Sequence, residues 1–386
     1  MKLKFGLLAR IIAAIALAVL LGNVVPEAFV RVFATFNGLF GNFLNFVVPL
    51  IIIAFIAPGI AQLGKGSGKL LGLATFFAYF STLLAGFIAY FVASNVLPNF
   101  ITSDGAKSMG NPEEYLAQAI FTVDMPPIMG VMAALIFAFI VGIGMAAINS
   151  DVMKRGFEEF NLIITKVISV VIIPLLPFHI FGIFLNMTYG GQVAEILSVF
   201  AIVFVLIIIM HWVMLLIQFT TAGALNKKNP FALIKVMLPA YFTALGTQSS
   251  AASIPVTLRQ AQQAGASAKV SNFTVPLFAT IHLSGSTITL VTCSLGVMMM
   301  NGLDISFTVY AGFIFMLGVT MIAAPGVPGG AVIAALGLMK TMLGFDETMV
   351  ALMIALYLAQ DSFGTATNVT GDGALSMIVD RFDSKD

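Results

Sequence analysis

The amino-acid sequence predicts an all-α polytopic membrane protein with eight transmembrane helices and two re-entrant hairpins. Three observations lead to this fold class. The chain is 60% hydrophobic and only 9% charged, long apolar stretches recur along it, and two of these stretches are interrupted by Pro, Gly and Ser. A soluble domain carries about 25% charged residues. The net charge of +1 indicates no nucleic-acid partner, and the single Cys293 excludes an intrachain disulfide framework.

A transmembrane helix needs about 20 apolar residues, and the chain has eight uninterrupted stretches of this kind. They cover residues 6–22, 38–60, 70–97, 127–148, 161–186, 196–222, 272–300 and 348–378. Two further apolar stretches, residues 230–258 and 310–340, are interrupted. If each of these two enters and leaves the bilayer on one side, eight spans remain and both termini share a compartment.

The interruptions lie at Gly246-Thr-Gln-Ser-Ser-Ala-Ala-Ser-Ile-Pro255 and at Ala323-Ala-Pro-Gly-Val-Pro-Gly-Gly330. Pro removes an amide donor and Gly lowers helix stability, so neither segment is expected to form a continuous helix. Irregular backbone at membrane depth is tolerated only where it is buried in protein or lines a cavity. Each segment precedes a long helix with a polar patch, which is typical of an inverted repeat around a central site. The alternative, two ordinary kinked helices, gives ten spans.

The basic residues define the orientation. Those assigned to the cytoplasmic side are Lys2, Lys4, Lys65, Lys69, Lys154, Arg155, Lys227, Lys228, Arg259, Lys269, Arg381 and Lys385, whereas the outer side has Arg31, Lys107 and Lys340. This asymmetry follows the positive-inside rule. It predicts cytoplasmic termini, a first hairpin on the cytoplasmic side, a second hairpin on the outer side, and an external loop over Asn99–Asp124.

One face of the last predicted helix is polar. Helical spacing places five residues on this face: Asp361, Gly364, Thr365, Asn368 and Asp372. No Lys or Arg lies between Glu347 and Asp380 to pair with the two carboxylates. An ionised carboxylate in hydrocarbon is costly, so these residues indicate a functional cavity, and the missing positive charge must come from elsewhere in the protein or from a bound cation. The alternative is a structural polar seam or protonated carboxyls.

Three motifs resemble one family in order and spacing. They are Ser249-Ser-Ala-Ala-Ser-Ile-Pro-Val256, Gly326-Val-Pro-Gly-Gly330 and Asn368-Val-Thr-Gly-Asp372. With them the whole chain, and residues 240–382 most specifically, resembles the glutamate-transporter-homologue family of dicarboxylate/amino acid:cation symporters. The segments Gln360-Asp-Ser and Ser-Ser-Ala-Ala look most similar to the bacterial sodium:serine/threonine symporters.

The resemblance implies a transporter rather than an enzyme, a homotrimer in the plasma membrane of a prokaryote, and an elevator mechanism. It implies scaffold helices 1 and 2 in residues 1–70 and helix 3 of the transport domain in residues 71–97. Residues 98–222 would contain the external loop, scaffold helices 4 and 5, and helix 6. Residues 223–386 would form the transport-domain core: hairpin 1, helix 7, hairpin 2 and helix 8.

The resemblance also implies the site residues. Ser250 and Asn368 would bind the substrate carboxylate and Asp361 its ammonium group. The full substrate-binding set would be Ser249, Ser250, Ser286, Val327, Gly330, Asp361, Gly364, Thr365 and Asn368. One Na⁺ would lie among Phe278, His282, Asn368 and Asp372, and a second among Thr280, Met321, Ile322 and Ala324. Na⁺ is the only cofactor-like species implied, with no organic cofactor.

Departures from the family pattern modify this expectation. Gly364 stands where members with acidic substrates have an Arg, so a small neutral amino acid is the expected substrate. Ser284 replaces an Asp that anchors a further sodium, and Leu283 replaces a Met of the second sodium site. His282 could carry a proton near the ion sites. The alternative function is therefore a proton-coupled amino acid or dicarboxylate symporter of the same fold.

Two other classes of function remain to be weighed. A channel needs a continuous polar pore, and the early helices have almost no aligned charge. An intramembrane hydrolase needs a nucleophile and a base, but the Gly-x-Ser-Gly motif is absent around Ser284. His179 and His211 lie on apolar stretches and are expected to be packing residues.

Overall fold

The structure of the 386-residue chain is a computed structural model that describes residues 7–63, 68–101, 117–148, 151–191, 193–322, 324 and 329–383. These residues form fourteen α-helices and no strand. The helices are α1 (Leu7–Gly22), α2 (Glu27–Leu63), α3 (Gly68–Val96), α4 (Val131–Ala147), α5 (Asp151–Val167), α6 (Ile173–Tyr189), α7 (Val193–Asn226), α8 (Pro230–Thr247), α9 (Ser250–Ala264), α10 (Ala268–Ile281), α11 (Ser284–Met300), α12 (Phe307–Met321), α13 (Gly330–Leu343) and α14 (Glu347–Asp383).

The predicted all-α class is confirmed. Seven helical segments in the described residues are long and apolar enough to cross a membrane: Glu27–Ala61, Lys69–Asn99, Asp151–Tyr189, Ile196–Asn226, Pro230–Thr247, Ala268–Met300 and Glu347–Asp383. The predicted spans 6–22 and 127–148 fall on α1 and α4, which are shorter apolar helices of 16 and 17 residues. The number of helices that cross the membrane, and the two re-entrant hairpins, stay predictions.

The first interrupted stretch forms a helical hairpin in which α8 packs against α9. The turn lies at Gln248, which has a left-handed φ of 53°, and at Ser249, whose hydroxyl accepts a hydrogen bond from the Ala252 amide over 3.2 Å. A serine in this position caps a helix N-terminus. Pro255 lies inside α9, so the helix is broken by the turn and the cap and not by this proline.

The second interrupted stretch forms α12 and α13, which also pack against each other. α13 begins after Gly329, whose φ of 75° is a conformation that glycine adopts without steric cost. Residue 323 and residues 325–328 lie outside the described residues, and with them the predicted ligand Val327. The same holds for residues 102–116 of the predicted external loop and for the basic residues Lys2, Lys4, Lys65, Lys107 and Lys385.

The predicted span over residues 272–300 falls on the apolar segment Ala268–Met300, which consists of two helices separated by a break. α10 ends at Ile281 and α11 begins at Ser284, because His282 and Leu283 have non-helical ψ angles of 101° and 48°. The break releases the amides at the start of α11 from helical hydrogen bonding. The last helix behaves differently, since α14 is continuous over 37 residues despite its polar side chains.

α14 occupies the centre of the described structure. It packs against α7, α8, α9, α10 and α11, and almost every residue from Met349 to Val379 is buried. α1, α2, α4 and α6 pack mainly on one another. This arrangement encloses the polar face of α14 between helices, as the cost of exposing carboxylates to hydrocarbon requires.

Candidate functional site

A cavity of about 40 Å³ lies where α14, the start of α11 and the two interrupted stretches meet. Its lining residues are Gln248, Ser250, Ala279, Thr280, Leu283, Ser286, Ala324, Ala331, Tyr357, Asp361, Thr365 and Asn368. The predicted substrate-binding residues Ser250, Ser286, Asp361, Thr365 and Asn368 therefore share one cavity. Thr280 and Ala324 of the predicted second cation site line the same space.

The other predicted substrate residues lie beside this cavity. Ser249 caps α9, Gly330 is the buried first residue of α13, and Gly364 is buried against the start of α11. A Cβ atom at Gly364 would lie 3.4 Å from the Ser286 amide nitrogen, which is ordinary van der Waals contact. None of these three residues belongs to the lining formed by the described residues.

Asp361 presents a carboxylate to the cavity with only 6% of its surface exposed. Its Oδ2 accepts a hydrogen bond from the Gly329 amide over 2.7 Å. Among the described residues it forms no ion pair. One amide hydrogen bond does not neutralise a buried carboxylate, so the geometry suits a cationic group of a ligand.

Asn368 holds the start of α11. Its Oδ1 accepts hydrogen bonds from the amides of Gly285 at 2.7 Å and Ser286 at 3.3 Å, and its Nδ2 donates to Ser286 Oγ at 3.0 Å. This amide was expected to bind the substrate carboxylate, yet here it pairs with protein groups. The Ser286 hydroxyl accepts from Asn368 and can still donate its own proton. It stands at a helix N-terminus, where negative charge is stabilised.

Asp372 contacts the side chain of His282. The distance from His282 Nδ1 to Asp372 Oδ1 is 2.8 Å, and His282 Nε2 lies 3.0 Å from Ser81 Oγ and 3.3 Å from Gln218 Nε2. The Gln218 nitrogen also donates to Ser81 Oγ at 2.9 Å and to Ser284 Oγ at 3.3 Å. An ionised carboxylate can only accept, so beside ionised Asp372 the Nδ1 atom is the donor. The sequence predicts His282 as a residue of the ion site that could carry a proton, but it does not predict the direct contact of this side chain with Asp372.

Several groups of the two predicted cation sites form hydrogen bonds within the protein. The Phe278 carbonyl accepts the His282 amide at 2.9 Å, and the Met321 carbonyl accepts the Ala324 amide at 3.3 Å. The Thr280 hydroxyl donates to the Leu277 carbonyl at 2.7 Å. Ile322 follows the last residue of α12. Because Ala324 lines the cavity, the C-terminus of α12 lies close to it. The last carbonyl groups of a helix lack intrahelical partners.

Three further residues of the site have no signal in the sequence. Tyr357 lines the cavity one turn before Asp361, and Gln218 reaches the His282 pair from α7. His211 Nε2 lies 3.0 Å from the Gly285 carbonyl and 3.2 Å from Thr289 Oγ1, so it supports the broken start of α11. His179 lies elsewhere, with Nδ1 3.0 Å from the side-chain amide of Asn37 on α2.

The helical fold and the polar cavity enclosed around α14 define a multi-pass membrane transporter. A family model described as the sodium:dicarboxylate symporter family matches residues 7–382, and the chain belongs to this family. The predicted resemblance is thereby confirmed, and the protein is a transporter and not an enzyme. Sodium as the coupling ion is what the family implies.

Curated relatives extend over nearly the full chain. A serine/threonine transporter of Acinetobacter baumannii (strain AYE) is 25% identical over 389 residues, which cover 98% of this chain and 97% of the relative. A serine/threonine transporter of Streptococcus suis (strain 05ZYH33) is 26% identical over 340 residues, covering 86% of this chain and 93% of the relative.

Proposed function

We propose that this protein imports a small neutral amino acid of the serine/threonine type together with Na⁺. The single observation that carries the proposal is the buried Asp361 carboxylate, which faces a small polar cavity without a cationic partner among the described residues. The substrate ammonium group would supply the missing positive charge. A buried carboxylate with an ammonium partner is far cheaper than an unpaired one.

The substrate carboxylate would lie at the start of α11. Ser286 and Ser250, the first residue of α9, both line the cavity there. The small cavity and the absence of a basic side chain at Gly364 favour a short, uncharged substrate side chain. A second substrate carboxylate would add an unpaired negative charge beside Asp361, at a cost of several kcal/mol.

Na⁺ is transported as a second substrate. Hard oxygen ligands suit it, and the residues present supply carbonyl groups at the end of α12 and the carboxylate of Asp372. His282 contacts only one of the two Asp372 oxygens, which leaves the other for a cation. Asp361 would be neutralised by the ammonium group, so the substrate carboxylate and Asp372 require one or two Na⁺ ions.

Transport would follow an elevator mechanism in the plasma membrane of a prokaryote, with both termini cytoplasmic and three copies assembled as a trimer. Residues 223–386 and helix 3 would move together, because α8–α11 pack around α14 and α3 packs on α11. The helices α1, α2, α4 and α6, which pack mainly on one another, would form the static scaffold.

The test uses purified protein in liposomes. Labelled serine should accumulate under an inward Na⁺ gradient and exchange with unlabelled serine inside, whereas a channel would leak and a hydrolase would release product. Asp361→Asn in the same liposomes is the matched control. Serine flux that is independent of Na⁺, or unchanged in the variant, would contradict the proposal.

A proton-coupled symporter is the second candidate, and the contact between His282 and Asp372 favours it. Uptake under a Na⁺ gradient at fixed pH is compared with uptake under a pH gradient without Na⁺. We expect the first to be larger; the reverse order would replace Na⁺ by protons as the coupling ion.

A further inference from the structure

Tyr357 lines the cavity, and its hydroxyl group has no role in the proposed function. Tyr357 lies on α14, is fully buried, and lines the cavity. Its hydroxyl has no hydrogen-bond partner among the residues that the structure describes. Asp361 and Ser286 are its polar neighbours, and a small adjustment would bring either into a hydrogen bond, but neither meets the hydroxyl with hydrogen-bond distance and angle in this structure.

Such a group needs an explanation, because nearly all buried polar groups in proteins have a partner and an unpaired one is destabilising. Tyr310 illustrates the usual situation. It is also fully buried, and its hydroxyl contacts Ser294 Oγ at 3.3 Å and Met298 Sδ at 3.1 Å. Tyr357 differs from Tyr310 because its side chain lines the cavity. A ligand that fills the cavity can therefore approach the hydroxyl and complete its hydrogen bonding.

The ligand group that pairs with the Tyr357 hydroxyl can be identified from the parts of the substrate that no other residue of the site binds. Asp361 takes the ammonium group of the substrate, and the start of α11 with Ser250 takes the carboxylate. The remaining part of a small amino acid is its side chain, and Gly364 offers no group to meet it. Since a phenol both donates and accepts, it matches an aliphatic hydroxyl.

We propose that the Tyr357 hydroxyl binds the side-chain hydroxyl of the substrate and makes the site selective for hydroxy amino acids. The inference rests on the proposed function and narrows its substrate class. A site built to hydrogen-bond a substrate hydroxyl discriminates against the analogue that lacks it, since the buried protein group is then left without a partner.

The experiment compares pairs that differ only by this hydroxyl: serine with alanine, and threonine with 2-aminobutyrate. Dissociation constants are measured by thermal-shift titration in Na⁺ buffer for the purified wild type, Tyr357→Phe and the matched control Tyr310→Phe. The wild type should prefer the hydroxy member of each pair by about 10- to 100-fold. Tyr357→Phe should reduce this ratio to within about threefold while alanine binds as before, and Tyr310→Phe should retain the ratio.

The outcomes that contradict the inference differ from the one that contradicts the proposed function. Equal binding of serine and alanine by the wild type overturns the inference. So does an equal loss of affinity for both in Tyr357→Phe, which would assign Tyr357 to positioning Asp361. If this variant does not fold, Tyr357→Leu removes the hydroxyl with different packing and must show the same loss of ratio. A wild type that binds none of the four amino acids contradicts the proposed function itself.

Discussion

His282 Nδ1 lies 2.8 Å from Oδ1 of Asp372, and both side chains are buried, with 0% and 1% of their surfaces exposed. The contact joins the break between α10 and α11 to the middle of α14. On the other side of the ring, Ser81 and Gln218 bring in α3 and α7. Three helices, α3, α7 and α14, therefore meet the imidazole in the break between α10 and α11, beside a carboxylate that the proposed mechanism assigns to cation binding.

The first prediction concerns this pair. Asn is shorter than His, so His282→Asn should also free Oδ1 of Asp372, which the imidazole contacts, for a cation and steepen the dependence of serine binding on Na⁺. We expect the Hill coefficient for Na⁺ to rise by up to one, measured by thermal-shift titration. Lys269→Ala, which removes an exposed ion pair with Asp383, is the control and should leave the coefficient unchanged. An unaltered coefficient in His282→Asn would show that the imidazole does not compete with the ion.

The second prediction concerns Asp361. Replacing the carboxylate by a neutral amide removes the partner of the substrate ammonium group, so Asp361→Asn should weaken amino acid binding by more than about 100-fold. The variant should remain folded because Asn keeps an oxygen that can accept from the Gly329 amide. Binding is measured by thermal shift and folding by size-exclusion chromatography. Retained affinity for serine would contradict the assignment of Asp361 to the ammonium group.

The third prediction concerns the charge of the substrate. Gly364→Arg should shift the preference from serine toward aspartate or glutamate, because a guanidinium group would pair with the second carboxylate. Gly364→Ala is the control, since a Cβ atom at this position meets only ordinary contacts. Competition of labelled serine uptake by each amino acid gives the order of preference. Should the wild type already prefer aspartate, an Arg from outside the described site would have to reach the cavity.

The fourth prediction concerns the proposed movement. Lys340 on α13 contacts the side chains of Asn45 and Glu347, and Asn45 Nδ2 donates to Glu347 Oε1 over 2.7 Å. These contacts link α2 of the proposed scaffold to the proposed transport domain, so the elevator movement must break them. Cross-linking Asn45→Cys to Lys340→Cys in a Cys293→Ala background should abolish transport and preserve serine binding.

The matched pair for this cross-link is Lys269→Cys with Asp383→Cys. Both residues lie in the proposed transport domain and their side chains meet at 2.9 Å, so this link should leave transport intact. Equal transport by both cross-linked proteins would argue against movement of α13 past α2.

Much of the architecture can be read from local patterns in the chain. Hydrophobic stretches predict helices because each must satisfy its own backbone groups in the bilayer, and those stretches lie on helices in the structure. The spacing of Asp361, Thr365, Asn368 and Asp372 places them on one face because a helix turns once in 3.6 residues, and three of the four line one cavity. The composition of residues 246–255 predicts an interruption, although not that Ser249 and Gln248 rather than Pro255 produce it.

Only the tertiary structure decided which groups meet. Ser81, Gln218 and His282 are separated by more than 60 residues from one another, and nothing local in any of them indicates the others. The break at His282 and Leu283 is likewise sustained by distant groups, since Asn368 accepts the Gly285 amide and His211 contacts the Gly285 carbonyl. Helical periodicity depends on neighbours along the chain, and it therefore appears in the sequence. Side-chain partners depend on which helices pack together, so only the packing around α14 shows that the Tyr357 hydroxyl has no partner among the described residues.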